Sequence, residues 1–246
     1  MPMPTLTELL EAGAHYGHKK ERSFPRAKQF TYTIRDSIYV IDLEKTREQL
    51  KLSLEWLQKA IGSGQIILFV GTKRQAKEAV KKTAQNLKMP YIVTHWLGGT
   101  LTNFETISKS LKKLSELDEL VKSDDFAKYT KKERKRIEEK RMKLNALFEG
   151  LKNLTKLPDI LFVVDTAKEN VAVLEARRMK IPIVGICDTN ANPDLIDYPI
   201  PANDDSEKTI RLILGTIEAG LKAKDAEKIK EPQKRIKKVL KKGADK

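Results

Sequence analysis

The sequence of 246 residues contains a single cysteine, Cys187, and no apolar run long enough to span a bilayer. A lone thiol excludes a disulfide within the chain and is typical of a reducing compartment. The first residues, Met1-Pro2-Met3-Pro4-Thr5, lack the apolar segment of a secretory signal. We therefore predict a cytoplasmic protein without a membrane partner, in which Cys187 is a small core residue.

Signatures of catalysis are also missing. Gly71-Thr72-Lys73 follows an apolar run but lacks the upstream glycine of a Walker loop, and no Gly-x-Gly-x-x-Gly follows a strand. There is no Gly-x-Ser-x-Gly elbow, and the three histidines have no evident Ser or Cys partner. We predict that the protein is not an enzyme and has no small-molecule substrate. A nucleotide-binding enzyme that uses polar strand ends remains an open alternative.

Positive charge is what the sequence has in excess. The formal net charge is +14 and the pI is about 9.6, which makes a polyanion the natural partner. No basic stretch has the bulky aromatic face of a membrane-surface helix, so nucleic acid is the better match. A free-standing RNA chaperone and a basic protein whose charge serves only solubility are the alternatives.

Apolar runs rich in β-branched residues alternate with helical patterns along most of the chain. Such alternation predicts parallel strands joined by right-handed helical crossovers. We predict an α/β fold with a doubly wound parallel sheet of five or six strands. The last strand contains Pro199 and Pro201, which cannot donate ladder hydrogen bonds, and so belongs at an edge. The predicted strands lie near residues 38–41, 66–70, 91–94, 160–164, 183–187 and 197–200.

Between Glu105 and about Gly150 the pattern changes to Lys, Glu, Leu and Arg with few β-branched residues. Two apolar stripes, beginning at Ile107 and at Ile137, are separated by a break near Ser123 and have the spacing of an antiparallel helical pair. We predict a discontinuous α/β domain over residues 1–104 and 148–222. Residues 105–147 are predicted as an inserted antiparallel coiled-coil helical hairpin, and residues 223–246 as a basic C-terminal tail.

Capping boxes of the form Thr-x-x-Glu or Thr-x-x-Gln predict where several helices begin. In such a box the threonine hydroxyl binds the backbone N–H three residues on, and the acidic or amide side chain reaches back. The predicted boxes begin at Thr5, Thr72, Thr102, Thr130 and Thr166.

Basic residues alternate with Tyr16, Phe24, Phe30 and Tyr32 in a predicted loop near the N-terminus. Basic groups hold phosphates and aromatic rings stack on bases or riboses, so this mixture favours RNA. The alternative is that the aromatic side chains pin the loop to the core. The predicted RNA-binding residues are Lys19, Lys20, Arg22, Arg26, Lys28 and Arg35, with Lys131, Lys132, Arg134, Lys135 and Arg136 in the hairpin.

Carboxylates end neighbouring predicted strands at Asp188 and at Asp204 or Asp205. Because the ends of adjacent strands lie close together, these side chains are candidate metal ligands. His18 is a further ligand if the N-terminal loop folds over that edge. The hypothesis is a zinc site formed by His18, Asp188, Asp204 and Asp205. In the alternative, the carboxylates cap a helix and a turn while His18 contacts RNA.

Five motifs, taken together, resemble the bacterial small-subunit (30S) ribosomal protein S-two family. They occupy residues 12–18, 67–74, 96–103, 158–163 and 188–190 and come in that family's order and spacing. The resemblance implies a flavodoxin-like sheet with a coiled-coil hairpin and a structural role in the small subunit, in support of translation. It implies binding to 16S-type rRNA and no required cofactor. It also implies that the α/β domain helps to dock protein S-one, with S-three, S-five and S-eight nearby.

Overall fold

A computed structural model describes residues 3–224, which form eight strands and seven α-helices. The strands are β1 (Tyr16–Lys19), β2 (Thr31–Arg35), β3 (Ile38–Ile41), β4 (Ile67–Val70), β5 (Tyr91–Ile92), β6 (Ile160–Val164), β7 (Ile183–Cys187) and β8 (Tyr198–Pro201). The helices are α1 (Leu6–Glu11), α2 (Leu43–Gly62), α3 (Lys77–Leu87), α4 (Phe104–Lys122), α5 (Lys131–Phe148), α6 (Asn170–Arg178) and α7 (residues 207–224). None of these helices combines the length and apolar composition needed to span a membrane.

The central sheet has five parallel strands in the order β5-β4-β6-β7-β8. Numbered from β4 this is the order 2-1-3-4-5, which is the flavodoxin-like form of a doubly wound sheet. The predicted fold class is therefore confirmed. The strand that carries Pro199 and Pro201 lies at an edge of the sheet, as predicted.

The strand predicted at residues 38–41 was assigned to the wrong sheet. It is the centre of a separate antiparallel sheet with the order β1-β3-β2, and the other two strands lie in the segment predicted as a loop. Asp36 and Ser37 both have positive φ, at 51° and 63°, and form a two-residue turn that folds β3 back onto β2. Such turns match the twist of antiparallel strand pairs. The short turn therefore pairs β3 with β2, its neighbour in the sequence, and not with the central sheet.

The core lies in two layers, one on each face of the central sheet. Alternate residues of the strands point to opposite faces, and β4 shows this with Phe69 in one buried cluster and Leu68 in the other. Helices α2, α3 and α7 cover the first face. The second face is covered by α6, the segment around Trp96 and the beginning of α4. Cys187 is a buried free thiol on that face, as predicted.

Helices α4 and α5 occupy the predicted insertion, and Arg141 Nη1 of α5 lies 3.2 Å from Asp118 Oδ1 of α4. The buried side chains at their base, including Ile107 and Phe148, belong to the same core cluster as the second face of the sheet. The base of the pair is therefore part of the α/β core. The coiled coil and the domain boundaries stay predictions, and residues 225–246 of the predicted tail lie outside the described residues.

Two of the predicted capping boxes are present, at Thr5 with Glu8 and at Thr130 with Glu133. The boxes at Thr72, Thr102 and Thr166 were predicted wrongly. Helices α3, α4 and α6 begin at Lys77, Phe104 and Asn170 without a side-chain cap. The hydroxyl and backbone N–H of Thr72 instead bind Glu169, and those of Thr102 bind Glu175.

Glu175 is a buried carboxylate that organises the segment before α4. Its Oε1 accepts hydrogen bonds from Trp96 Nε1 at 3.1 Å and Gly99 N at 2.7 Å. Its Oε2 accepts from Leu101 N at 2.9 Å and from both N and Oγ1 of Thr102 at 3.2 Å. Burial by itself raises the pKa of this carboxyl, but these donors favour the charged form and leave the pKa lowered.

We predict that Glu175→Gln lowers the free energy of unfolding by about 2–4 kcal/mol, because one amide NH₂ would face N–H donors and leave them unpaired. Urea unfolding at pH 7 measures this loss, with Glu78→Gln as the control because the Glu78 side chain is 81% exposed. Since the folded-state pKa of Glu175 is lowered, its stabilisation is present above pH 4.5 and is lost as the pH falls through the folded value. Equal unfolding midpoints for the two variants would contradict the prediction.

Candidate functional site

The crevice where a doubly wound sheet usually binds a ligand is filled here by the protein's own side chains. That crevice lies at the carboxyl ends of β4 and β6, where the strand order reverses. Glu169 Oε1 crosses it and accepts hydrogen bonds from Thr72 N at 3.0 Å and Thr72 Oγ1 at 2.5 Å. Lys73 crosses it as well, with Nζ at 3.1 Å from Asp165 Oδ2. The polar side chains at the ends of these strands are therefore bonded to other groups of the same chain.

Lys73 is the centre of this edge. Its ammonium group lies 2.6 Å from Asp204 Oδ1 and 2.7 Å from Asp205 Oδ1, in addition to the contact with Asp165. The Lys73 side chain is only 14% exposed. A buried ammonium needs such partners because removal from water is costly for an unpaired charge. Sequence reasoning considered Lys73 only as part of a phosphate loop and missed this cluster.

The pKa values follow from burial and from this clustering of charge. Burial lowers the pKa of Lys73, but the hydrogen bond and charge of Asp204, with Asp205 and Asp165, raise it above the usual value. Burial raises the pKa of Asp204 to about 7, with Asp165 and Asp188 adding to the effect and Lys73 opposing it. Lys73 also lowers the pKa of Asp205, against the opposing effect of burial.

The N-terminal segment folds over the same edge, as the metal hypothesis required. His18 N donates to Thr189 Oγ1 at 2.8 Å, and Phe24 N donates to the Thr189 carbonyl at 2.7 Å. A Cβ at Gly17 would lie 2.7 Å from Thr189 Cγ2 and 2.9 Å from the Tyr39 carbonyl, so only glycine permits this approach. The imidazole of His18 is thereby held against Asp188.

Three of the four predicted metal ligands come together. One donor atom from each of His18, Asp188 and Asp205 lies within 4.8 Å of the others. His18 Nδ1 is 3.1 Å from Asp188 Oδ2, and its Nε2 is 3.6 Å from Asp205 Oδ2. Asp188 is the main cause of a raised pKa for His18, against the opposing effect of burial. The fourth predicted ligand, Asp204, is outside this group and holds Lys73 with its Oδ1.

The predicted RNA-binding residues lie on two separate surfaces, and all of them are exposed. We call the first the N-terminal basic surface, formed by Lys19, Lys20, Arg22, Arg26, Lys28 and Arg35. The second is the α5 basic surface, formed by Lys131, Lys132, Arg134, Lys135 and Arg136. Arg26 pairs with Asp194 at 2.9 Å and Arg35 with Asp36 at 3.9 Å. The other nine residues form no ion pair within residues 3–224.

An exposed apolar surface near the N-terminus was not predicted as such. We call it the N-terminal apolar patch, formed by Leu10 and Tyr32, whose side chains are 52% and 79% exposed. A groove of about 310 Å³ beside the patch is lined by Leu10, His15 and Tyr32, with residues 40–44. The aromatic residues of this segment were the available signal, but Phe24 and Phe30 are partly buried and only the tyrosines are exposed.

Fold and site together define a doubly wound α/β protein whose ligand crevice is closed by its own residues. Residues 9–223 match the family model of Ribosomal protein S2. The small ribosomal subunit protein uS2 of Endomicrobium trichonymphae is 45% identical over 213 residues, covering 87% of each chain. That of Coprothermobacter proteolyticus is 47% identical over 217 residues, covering 88% of this chain and 81% of the relative. That of Helicobacter pylori strain P12 is 45% identical over 210 residues, covering 85% and 80%.

The chain belongs to the ribosomal protein S2 family. It is therefore a structural protein of the small ribosomal subunit in the cytoplasm, and it is not an enzyme. The family resemblance inferred from the sequence motifs is confirmed, and membership implies no required cofactor. The alternative of a nucleotide-binding enzyme is excluded.

Proposed function

We propose that the protein binds 16S-type rRNA through the N-terminal basic surface and the α5 basic surface. The observation that carries this proposal is that nine of these eleven basic residues are exposed and form no ion pair within residues 3–224. Each unpaired Lys or Arg is free to neutralise a phosphate and release a counterion, which is the main source of affinity for nucleic acid.

Phosphate contacts fix position but carry little sequence information, so recognition depends on the folded shape of the RNA. A protein that reads shape must hold its basic groups at fixed distances. The N-terminal basic surface meets this requirement because its segment is fastened to the sheet edge through Thr189 and through Arg26 with Asp194. The α5 basic surface lies on a helix whose beginning is fixed by the capping box at Thr130.

Replacing Lys20, Arg22 and Lys28 by Ala should weaken binding to small-subunit rRNA and reduce its dependence on salt. Each lost phosphate contact removes about 0.7–0.9 from the slope of log affinity against log salt, so the triple variant should lose about 2–3. Filter binding over a range of salt concentrations measures the slope. The control replaces Lys59, Lys82 and Lys88, which are also exposed and form no ion pair among residues 3–224. Equal slopes for both variants would place the RNA surface elsewhere.

We further propose that the N-terminal apolar patch docks ribosomal protein S-one, with S-three, S-five and S-eight as neighbours elsewhere on the subunit. Large exposed apolar side chains that line a common groove are typical of contact sites on soluble proteins. The groove beside Leu10 and Tyr32 gives a partner side chain a place to insert. Tyr32 is 79% exposed and therefore contributes little to this chain's own core.

The double variant Leu10→Glu with Tyr32→Glu should reduce affinity for purified S-one at least about tenfold, because it places two charges in an apolar contact. Its thermal unfolding should stay close to that of the unaltered protein, since both side chains are more than half exposed. Surface-immobilised binding measures the affinity. Leu52→Glu is the matched control, because it makes the same change at a side chain that is 46% exposed on α2, outside the patch. Unchanged affinity for the double variant would exclude the patch.

A second candidate function of the carboxyl edge is to bind a metal ion, with zinc as the first choice. His18 Nδ1 and Asp188 Oδ2 are both buried and lie 3.1 Å apart, and neither atom has another hydrogen-bond partner within residues 3–224. Nitrogen and carboxylate oxygen donors suit zinc. His18, Asp188 and Asp205 would hold the ion and so fasten the N-terminal segment to the sheet. The protonated imidazole alone, between two carboxylates, is the competing explanation of this arrangement.

Elemental analysis of protein purified without chelator should find close to one zinc per chain, and Asp188→Asn should remove it. Asp188 is the choice because it is 2% exposed and its Oδ2 has no partner within residues 3–224 other than His18. Asp194→Asn, a change at an exposed carboxylate of the same edge, should leave the zinc content unchanged. Metal-free protein whose N-terminal amides exchange as slowly as those of zinc-treated protein would support the imidazole explanation instead.

A further inference from the structure

The acidic side chains in helix α6 and in the segment just before it are buried. Glu169, which precedes the helix, is 4% exposed and binds Thr72. Glu175 is 9% exposed and binds the segment from Trp96 to Thr102. Asp165, just before them, is 5% exposed and pairs with Lys73. Every carboxylate between residues 165 and 180 is therefore buried.

The outward side of α6 is consequently apolar and basic. Val171 and Leu174 are 54% and 51% exposed, and Arg178 follows at the spacing that places all three on one side of the helix. Lys168, Arg177 and Lys180 are also exposed around them. Arg177 has a partner in Asp197 at 3.7 Å. The other three basic residues form no ion pair within residues 3–224. We call this set the α6 face.

We propose that the α6 face docks a neighbouring protein of the small subunit through an acidic, amphipathic segment of that protein. The positive rim selects a partner with negative charge, and the aliphatic centre selects one with apolar side chains. RNA matches the rim but not the centre, because Val171 and Leu174 offer no aromatic ring for a base to stack on. The proposal depends on membership of the small subunit and not on the proposed rRNA or S-one contacts.

Site-specific photo-crosslinking tests the identity of the occupant. The full chain carrying a photoreactive amino acid in place of Leu174 is assembled into small subunits that lack this protein, and irradiated. Crosslinks should join position 174 to a protein, within a segment rich in Asp or Glu. Crosslinks to rRNA, or a yield no higher than from the same group at Leu52, would overturn the proposal. Leu52 is a suitable control because it is 46% exposed and lies on α2, across the sheet from α6.

Two variants that add negative charge to the α6 face test the energetics of the same contact. Val171→Asp with Leu174→Asp should lower retention in small subunits after a high-salt wash by at least about tenfold relative to Leu52→Asp. Arg178→Glu should lower retention before the wash, because it repels an acidic partner. Both variants should keep the thermal unfolding and the rRNA salt slope of the unaltered protein. Retention equal to that of Leu52→Asp would overturn the proposal, whereas failure of the unaltered protein to assemble would count against the proposed function instead.

Discussion

The pairing of the Lys73 ammonium with three carboxylates is the interaction on which the carboxyl edge of the sheet depends. Asp165 comes from the end of β6, and Asp204 and Asp205 come from the connection between β8 and α7, so one charge joins three parts of the chain. Removing one partner from such a buried cluster is costly, because it leaves an uncompensated charge out of water. Asp205 extends the cluster to His18 and so to the N-terminal segment. The cluster around Lys73 is thereby joined to the segment that carries the N-terminal basic surface, which Thr189 and Asp194 also hold at this edge.

Internal pairing of polar groups also explains why a doubly wound fold, which binds ligands in other proteins, serves here as a scaffold. Polar residues at the carboxyl ends of parallel strands are where other doubly wound proteins bind ligands. Here Glu169 takes the donors of Thr72, and Glu175 takes the donors of Trp96, Gly99, Leu101 and Thr102. Groups that could have faced a phosphate are satisfied within the chain. A satisfied polar network resists rearrangement, which suits a protein that must present fixed surfaces to RNA and to other proteins.

Features that depend on residues close together in the sequence were predicted correctly, and features that depend on contacts between distant residues were not. The buried strands were found because continuous apolar runs are a local signal, and the boxes at Thr5 and Thr130 were right because no distant group competes for those threonines. The boxes at Thr72 and Thr102 failed because their partners, Glu169 and Glu175, are 97 and 73 residues away. The small antiparallel sheet was missed for a different reason. Its strands β1 and β2 are short and largely exposed, so they carry little apolar periodicity.

The candidate site was predictable only where topology alone brings residues together. Asp188 and Asp205 were found because adjacent strand ends must meet, and His18 on the condition that the N-terminal loop folds over that edge. Lys73 gave no sign of which carboxylates it would join. Burial also determines which of the charges behind the net charge of +14 lie at the surface. Asp165, Asp188, Asp204, Glu169 and Glu175 are all buried, and most of their partners are neutral donors. Because these acids lie away from the surface, fewer carboxylates stand beside the exposed Lys and Arg, and the potential that a polyanion meets close to them is more positive than an even mixture of charges would give.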